Sequence, residues 1–230
     1  MPVPKLKFGK GNGKIEHHTF SLPAGYTCPG AAACLARANR ETGEIRDGRG
    51  ATYRCFAASM EARLPSVRDS RWRNLEALRA SDDMAALISA SLPRKAETVR
   101  IHVSGDYFSR AYLDAWMQVA REHPAVIFYG YTKSAHLLPP KSELPANLRI
   151  VVSRETKFGI ERACELGYSF AHVVFSPEET NLPIDHDDSH AIAADHDFAL
   201  LIHGTQRAGS EAAKALQQLK RREIGGYGTR

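Results

Sequence analysis

TVRIHVSGDYFSRAYLDAWMQVAREHPAVIFYGY, residues 98–131, reads as strand, helix, strand. TVRIHV (98–103) and AVIFYGY (125–131) are nearly continuous apolar runs. Between them, Ser109 is placed to cap a helix whose apolar face is Tyr112, Ala115, Trp116, Val119 and Ala120, an i, i+3, i+4, i+7, i+8 pattern. Strands that lack in–out alternation belong in a sheet buried on both faces, and such sheets are parallel.

The same rhythm extends outward. Downstream, NLRIVVS (147–153), FAHVVF (170–175) and FALLIH (198–203) read as strands. A short helix carries Ile160, Ala163 and Cys164 on one side and stops at Gly167. Ser210 and Glu211 open a last helix with Ala212, Leu216 and Leu219 inward. Upstream, HHTFSLP (17–23) reads as one further strand. Residues 66–79 read as a helix, with Ser66 and Asp69 as a capping box and Trp72, Leu75 and Leu78 on one face. About six strands alternating with helices predict an α/β protein with a mostly parallel sheet, either a partial (β/α) barrel or an open doubly wound sheet. The expected organisation is a flexible basic arm (1–14) and a single α/β domain (15–230) whose N-terminal part (15–80) carries three cysteines.

The 230 residues are 43% hydrophobic and 25% charged, which excludes a disordered chain, a collagen-like fibre and a disulfide-dense scaffold. No apolar stretch is long enough to span a bilayer, and no apolar h-region follows the basic start. A cytoplasmic protein without a membrane partner is expected. Its four cysteines are then ligands, catalytic thiols or core residues rather than disulfides. The net charge of +5 is uneven: residues 1–80 hold 14 Lys/Arg against 7 Asp/Glu, and the rest 17 against 19. That surplus favours an anionic small molecule or nucleic acid as partner, although a solvated basic surface explains it equally well. Gly9, Gly11, Gly13 and Lys14 do not form a phosphate loop, because Ile15 follows the lysine and no strand precedes.

In parallel α/β folds, ligands bind at the C-terminal ends of the strands. The strand exits here are Ser104-Gly105-Asp106, Thr132-Lys133-Ser134, Ser153-Arg154-Glu155, Ser176-Pro177-Glu178 and His203-Gly204-Thr205-Gln206. All can hydrogen-bond a ligand. Five residues separate Cys28 from Cys34, and 20 separate Cys34 from Cys55. Three thiols in one basic segment suit a soft metal or an iron–sulfur cluster and leave one coordination position open. A closed zinc site requires a fourth ligand, and buried cysteines also pack simply as small hydrophobes, as Cys34-Leu35-Ala36 would on a short helix. Cys164, on an apolar helix face, reads as core. The run Asp185, His186, Asp187, Asp188, His190, Asp195, His196, Asp197 offers ligands for a divalent cation, or forms a solvated loop. Ser210 is explained by an ordinary N-cap, and its helix start also suits an anion. Tyr107, Phe108, Tyr129 and Tyr131 could stack on a base or belong to the core.

Seven segments together resemble the phage and mobile-element gene product 88 family. They are KLKFGKGNGK (5–14), FSLPAGYTCPGAAAC (20–34), YRCFAASMEARLPSVR (53–68), IHVSGDYFS (101–109), FYGYTKS (128–134), DHDDSHA (185–191) and LIHGTQRAGSEAAKAL (201–216). The resemblance covers nearly the whole chain and implies no defined chemistry. More distantly, the order of strand, three-cysteine loop and strand ending in Ser-Gly-Asp is similar to radical S-adenosylmethionine enzymes, which are partial (β/α) barrels. That likeness implies a [4Fe–4S] cluster on Cys28, Cys34 and Cys55, with S-adenosylmethionine near Ser104, Gly105 and Asp106. The spacing of five and then 20 departs from that family's C-x-x-x-C-x-x-C.

Three functions follow as expectations. The first is an iron–sulfur protein acting on a nucleotide or nucleic acid. Asp106, Lys133, Arg154 and Glu155 would be its catalytic candidates, and Thr205 and Gln206 would join Ser104, Gly105 and Asp106 in binding the cofactor. The second is a non-catalytic nucleic-acid-binding accessory protein with structural or zinc-binding cysteines. The third is a cation-dependent hydrolase using Asp106 and the 185–190 cluster.

Overall fold

The 98–131 unit folds as its pattern predicts. A computed structural model describes residues 5–11 and 17–224. In it β4 (Thr98–Ser104), α4 (Arg110–Glu122) and β5 (Ile127–Thr132) form the strand–helix–strand unit. Ser109 caps α4, its side chain accepting from the Tyr112 N–H at 3.2 Å. The helix buries Tyr112, Leu113, Trp116, Met117, Val119 and Ala120. Alternate residues of the strands split between two faces. Val99, Ile101, Phe128 and Ile150 join the Trp116 core, while Tyr129 and Val151 face a second cluster with Ala191 and Phe198.

β1 (His18–Ser21), β6 (Leu148–Ser153), β7 (Phe170–Val174) and β8 (Phe198–Leu201) complete a six-stranded sheet in the order β1-β4-β5-β6-β7-β8, with every pairing parallel. Neighbours follow chain order without the reversal that defines a doubly wound sheet. The order is that of the partial-barrel alternative, and the sheet stays open because its edges β1 and β8 do not pair with each other.

A β2–β3 hairpin (Ala36–Ala38, Ile45–Asp47) and the helices α1 (Phe56–Arg63) and α3 (Met84–Ser91) lie outside the sequence-derived pattern. Cys34-Leu35-Ala36 is accordingly not helical but runs into β2. The helix expected over 66–79 is α2 (Pro65–Ala80), and Ser66 is not its cap. Proline at the first helical position starts it with a preset φ, and no side chain caps the Leu64 end. The remaining helices are α5 (Glu161–Glu165), α6 (Ser189–Ala193) and α7 (Glu211–Arg221), the last capped by Ser210. Cys164 is exposed, and Ala163 is the buried residue of α5, because five residues are too few to bury a full face.

Residues 5–11, the described part of the basic arm, lie against the domain. Leu6 is buried, the Lys7 backbone exchanges two hydrogen bonds with Asn74, and Gly9 bridges Thr19 on the edge strand. Lys14 lies outside the described residues. Among the described residues no helix is long and apolar enough to cross a membrane.

One backbone irregularity shapes the sheet where the edge strand β1 meets β4. Thr19 pairs with Arg100 and Ser21 with Ser104, so β4 bulges between them, and His102 sits at φ 64°. A left-handed conformation is uncommon for a residue with a side chain and clusters at functional sites. The His102 ring turns into the core, where Nε2 lies 3.0 Å from the Tyr112 hydroxyl and burial pushes its pKa down to about 3.

Candidate functional site

Beyond that bulge, the C-terminal ends of the strands enclose a cavity of about 150 Å³. Cys28, Cys34 and Cys55 all line it, as do Ser104, Gly105, Asp106 and Lys133. Tyr131, one of the rim aromatics, and His203, from the exit of β8, line it too, and so do Tyr53 and Arg100, which the sequence reading did not single out. Arg154, Glu155, Thr205 and Gln206 do not reach it.

The Cys28 loop and the Cys55 segment are held by different fastenings. The Cys28 loop needs glycine at position 30, where an added Cβ would stand 1.7 Å from the Lys133 carbonyl oxygen. That close approach seats the loop on the exit of β5, and the Lys157 N–H donates to the Gly30 carbonyl at 3.0 Å. Glu61, fully buried, holds the chain just before the loop: one carboxylate oxygen accepts from Ala24 N–H (2.9 Å), Ser104 Oγ (3.1 Å) and Arg71 Nη1 (2.7 Å). Cys55 is anchored through its neighbour. The Gln206 amide accepts from Arg54 N–H at 2.7 Å and donates to the Arg54 and His203 carbonyls at 3.0 and 2.9 Å. Gln206 therefore ties the Cys55 segment to the exit of β8.

Burial dominates the acidity of two of these thiols. It pushes Cys28 well above the ordinary thiol range, with the Asp106 and Cys55 charges adding to the effect. Cys55 sits at the N-terminal end of α1, whose backbone N–H groups favour the thiolate, yet burial and Cys34 still push it up to about 11. All four cysteines are free thiols. Among the described residues, no group of three or more His, Cys, Asp or Glu side chains is arranged to hold a metal ion.

Asp106 is a hub. Its carboxylate accepts from Thr132 Oγ1 (2.6 Å), Tyr107 N–H (2.7 Å) and Lys133 N–H (2.8 Å), bracing the exit of β4 against that of β5. Burial nevertheless raises its pKa. Glu155 Oε1 accepts from Val173 N–H at 2.9 Å, and Arg154 is exposed with its guanidinium over Phe170. The Thr205 carbonyl accepts from Ser59 Oγ at 3.2 Å.

The Asp/His run of 185–197 divides in two. Asp188 is buried, at φ 69°, and accepts from Arg100 (2.6 Å), Tyr129 (2.8 Å) and Tyr131 (3.0 Å). Asp185 is buried and accepts from two backbone N–H groups. His190, His196 and Asp195 form an exposed hydrogen-bonded chain. The buried carboxylates thus pin α6 over the sheet. Neither they nor Asp106 keeps the open arrangement that the hydrolase expectation requires. Of the four rim aromatics, Tyr107 and Tyr129 are core, Phe108 stacks on Tyr112, and Tyr131 reaches the cavity.

Fold and site together define an open parallel α/β protein with a thiol-lined cavity at the C-terminal rim of its sheet. The gene product 88 family profile matches residues 4–222, and the chain belongs to that family. Similar curated proteins are the gene 88 proteins of Mycobacterium phage L5, 31% identical over 129 residues, and of Mycobacterium phage D29, 30% identical over 129 residues. In both cases the match covers 50% of this chain and 47% of the relative, so the chain spans about half the length of the curated relatives it matches. No solved structure matches the chain significantly.

Proposed function

We propose that Cys28, Cys34 and Cys55 hold an iron–sulfur cluster beside a small-molecule cavity. One observation carries this reading: three free thiols, two from the loop before β2 and one at the start of α1, line a single cavity that also contains a lysine cation. Thiolates are the preferred ligands of iron–sulfur centres, and thiols spread around a wall suit a cluster, whose ligands bind different iron atoms, better than one ion on which ligands must converge. The donor set and its position at the strand ends fit the group. When bound, such a cluster supplies electron transfer and, with three protein ligands, one iron open to an external ligand. S-adenosylmethionine is the ligand that the barrel likeness suggests for it. The chain's own part is to fix the Cys28 loop through Gly30 and Glu61 and the Cys55 segment through Gln206, and to offset thiolate charge with Lys133. Anaerobic reconstitution of the full chain with iron and sulfide, read by visible spectrum and iron and sulfide per chain, tests the reading. Each of Cys28→Ala, Cys34→Ala and Cys55→Ala should lose iron while Cys164→Ala keeps it. A colourless, iron-free wild type would overturn it.

A second reading, nucleic-acid binding, is supported by the exposed Lys5, Lys7 and Lys10 on the arm beside edge strand β1. It predicts affinity that falls with salt and weakens when these lysines are neutralised.

A further inference from the structure

Three cations line the cavity, and two of them are paired. Arg54 forms a two-point ion pair with Asp47 at 2.8 and 2.6 Å, and Arg100 is bonded to Asp188 at 2.6 Å. Lys133 differs: the bonds it makes among the described residues are all of its backbone, N–H to Asp106 and C=O from Thr156. Among the described residues its half-buried side chain has no hydrogen bond or ion pair. The two nearest carboxylates do not serve it. Asp106 is occupied by three other donors, and Glu155 is turned to Val173 N–H and lies 3.8 Å from His172. Burial alone would drive the ammonium towards neutrality, but the surrounding Cys34, Tyr53, Glu155 and Asp106 more than offset this and hold it protonated. The second unsatisfied group is the Tyr53 hydroxyl, which is buried without a partner on a residue lining the same cavity.

An ammonium in a largely closed site without a hydrogen-bonded counter-charge is costly, and a buried hydroxyl requires an acceptor. One oxyanion satisfies both. We propose that the cavity binds a small molecule through a carboxylate or phosphate group held by Lys133 Nζ and the Tyr53 hydroxyl. The volume of about 150 Å³ limits the enclosed part to a small group. The inference concerns the same cavity as the thiol reading and shares Lys133 with it, but rests on Tyr53 in place of the thiols.

Thermal unfolding of the full chain at matched ionic strength, in inorganic phosphate, acetate or chloride, tests it. Phosphate or acetate should raise the melting temperature of the wild type above the chloride value, and a response to one alone identifies which oxyanion the site takes. In Tyr53→Phe the half-saturating concentration should rise about ten-fold, as expected for loss of one hydrogen bond to a charged group. Lys133→Met should lose the response. Should that variant fail to fold, Tyr53→Phe and Lys133→Arg decide. Equal responses to all three salts, or equal responses of wild type and variants, would overturn the proposal. Iron reconstitution of the same wild-type sample keeps the two ideas apart. Iron binding without an anion response overturns only this proposal, and an anion response without iron overturns only the cluster reading.

Discussion

Glu61→Ala tests whether the scaffold behind the thiols is as strongly committed as its geometry indicates. Glu61 is fully buried, and its ion-pair partner Arg71 has a side chain only 6% exposed. The substitution leaves that guanidinium with the Ala57 carbonyl at 3.0 Å but no counter-charge. It also removes the acceptor of the Ala24 N–H and the Ser104 hydroxyl. Removing one partner of a buried pair costs about 3–5 kcal/mol. In a chain of this size each kcal/mol moves the melting temperature by about 2–4 °C, so a fall of roughly 6–20 °C is expected. Glu61→Gln keeps an oxygen for the two neutral donors and should cost less, about 1–3 kcal/mol. Urea unfolding of wild type, Glu61→Ala, Arg71→Met and the double variant gives the coupling directly. The double variant should cost clearly less than the sum of the singles, because the second removal eliminates the uncompensated charge that the first creates. A cost below about 1 kcal/mol for Glu61→Ala, or simple additivity, would refute the assignment of Glu61 as the hub.

Gly30→Ala places a methyl group against the Lys133 carbonyl, a backbone atom that cannot step aside, so a loss of about 1–3 kcal/mol in urea unfolding is expected, together with less iron per reconstituted chain. Asp188→Ala should cost about 3–5 kcal/mol by stranding Arg100, whereas Asp188→Asn tolerates the left-handed backbone and should cost less; equal melting temperatures for the two variants would contradict this. In the metal-free protein, iodoacetamide should label exposed Cys164 before Cys28 and Cys55. Their raised folded pKa values add stability that is complete below the unfolded thiol value of about 8.5 and is lost as pH climbs, for Cys55 through about 11. Stability measured from pH 7 to 11 should therefore fall, and a rise across that window would exclude the burial argument.

Five of the six strands were readable because each is a largely apolar run that a doubly covered sheet accommodates; β1, HTFS, is not such a run. The hairpin ARA and IRD was not readable, since strands of three residues carry no period. The inward reading of Cys164 failed for a related reason: spacing from Ile160 defines a helix face only where the helix is long enough to have one. The exits of β4 and β5 were found by the strand-end rule and the cysteines by their spacing and chemistry, but neither signal can tell a side chain facing the cavity from one bracing a loop. Gln206 and Asp106 were picked as ligand groups, yet both carry backbone hydrogen bonds across the site. Arg100 had a usable signal. A charge inside the run TVRIHV must be paired, and its partner, Asp188, lies 88 positions away in a segment that composition alone describes as solvated.

Buried polar fastenings of this kind are a poor way to gain stability. A buried ion pair often contributes less than apolar packing of the same volume, and a left-handed backbone at a residue with a side chain is strained. Here they concentrate around one cavity. Glu61 fixes the chain before Cys28, Gly30 seats the loop after it, Gln206 holds the residue before Cys55, and the His102 bulge precedes Ser104-Gly105-Asp106. A scaffold selected only for stability would have filled this end of the sheet with aliphatic side chains, as it has around Trp116. Costly order around three free thiols and an unpaired lysine is what a site requires when its groups must stand apart and wait for something to bind.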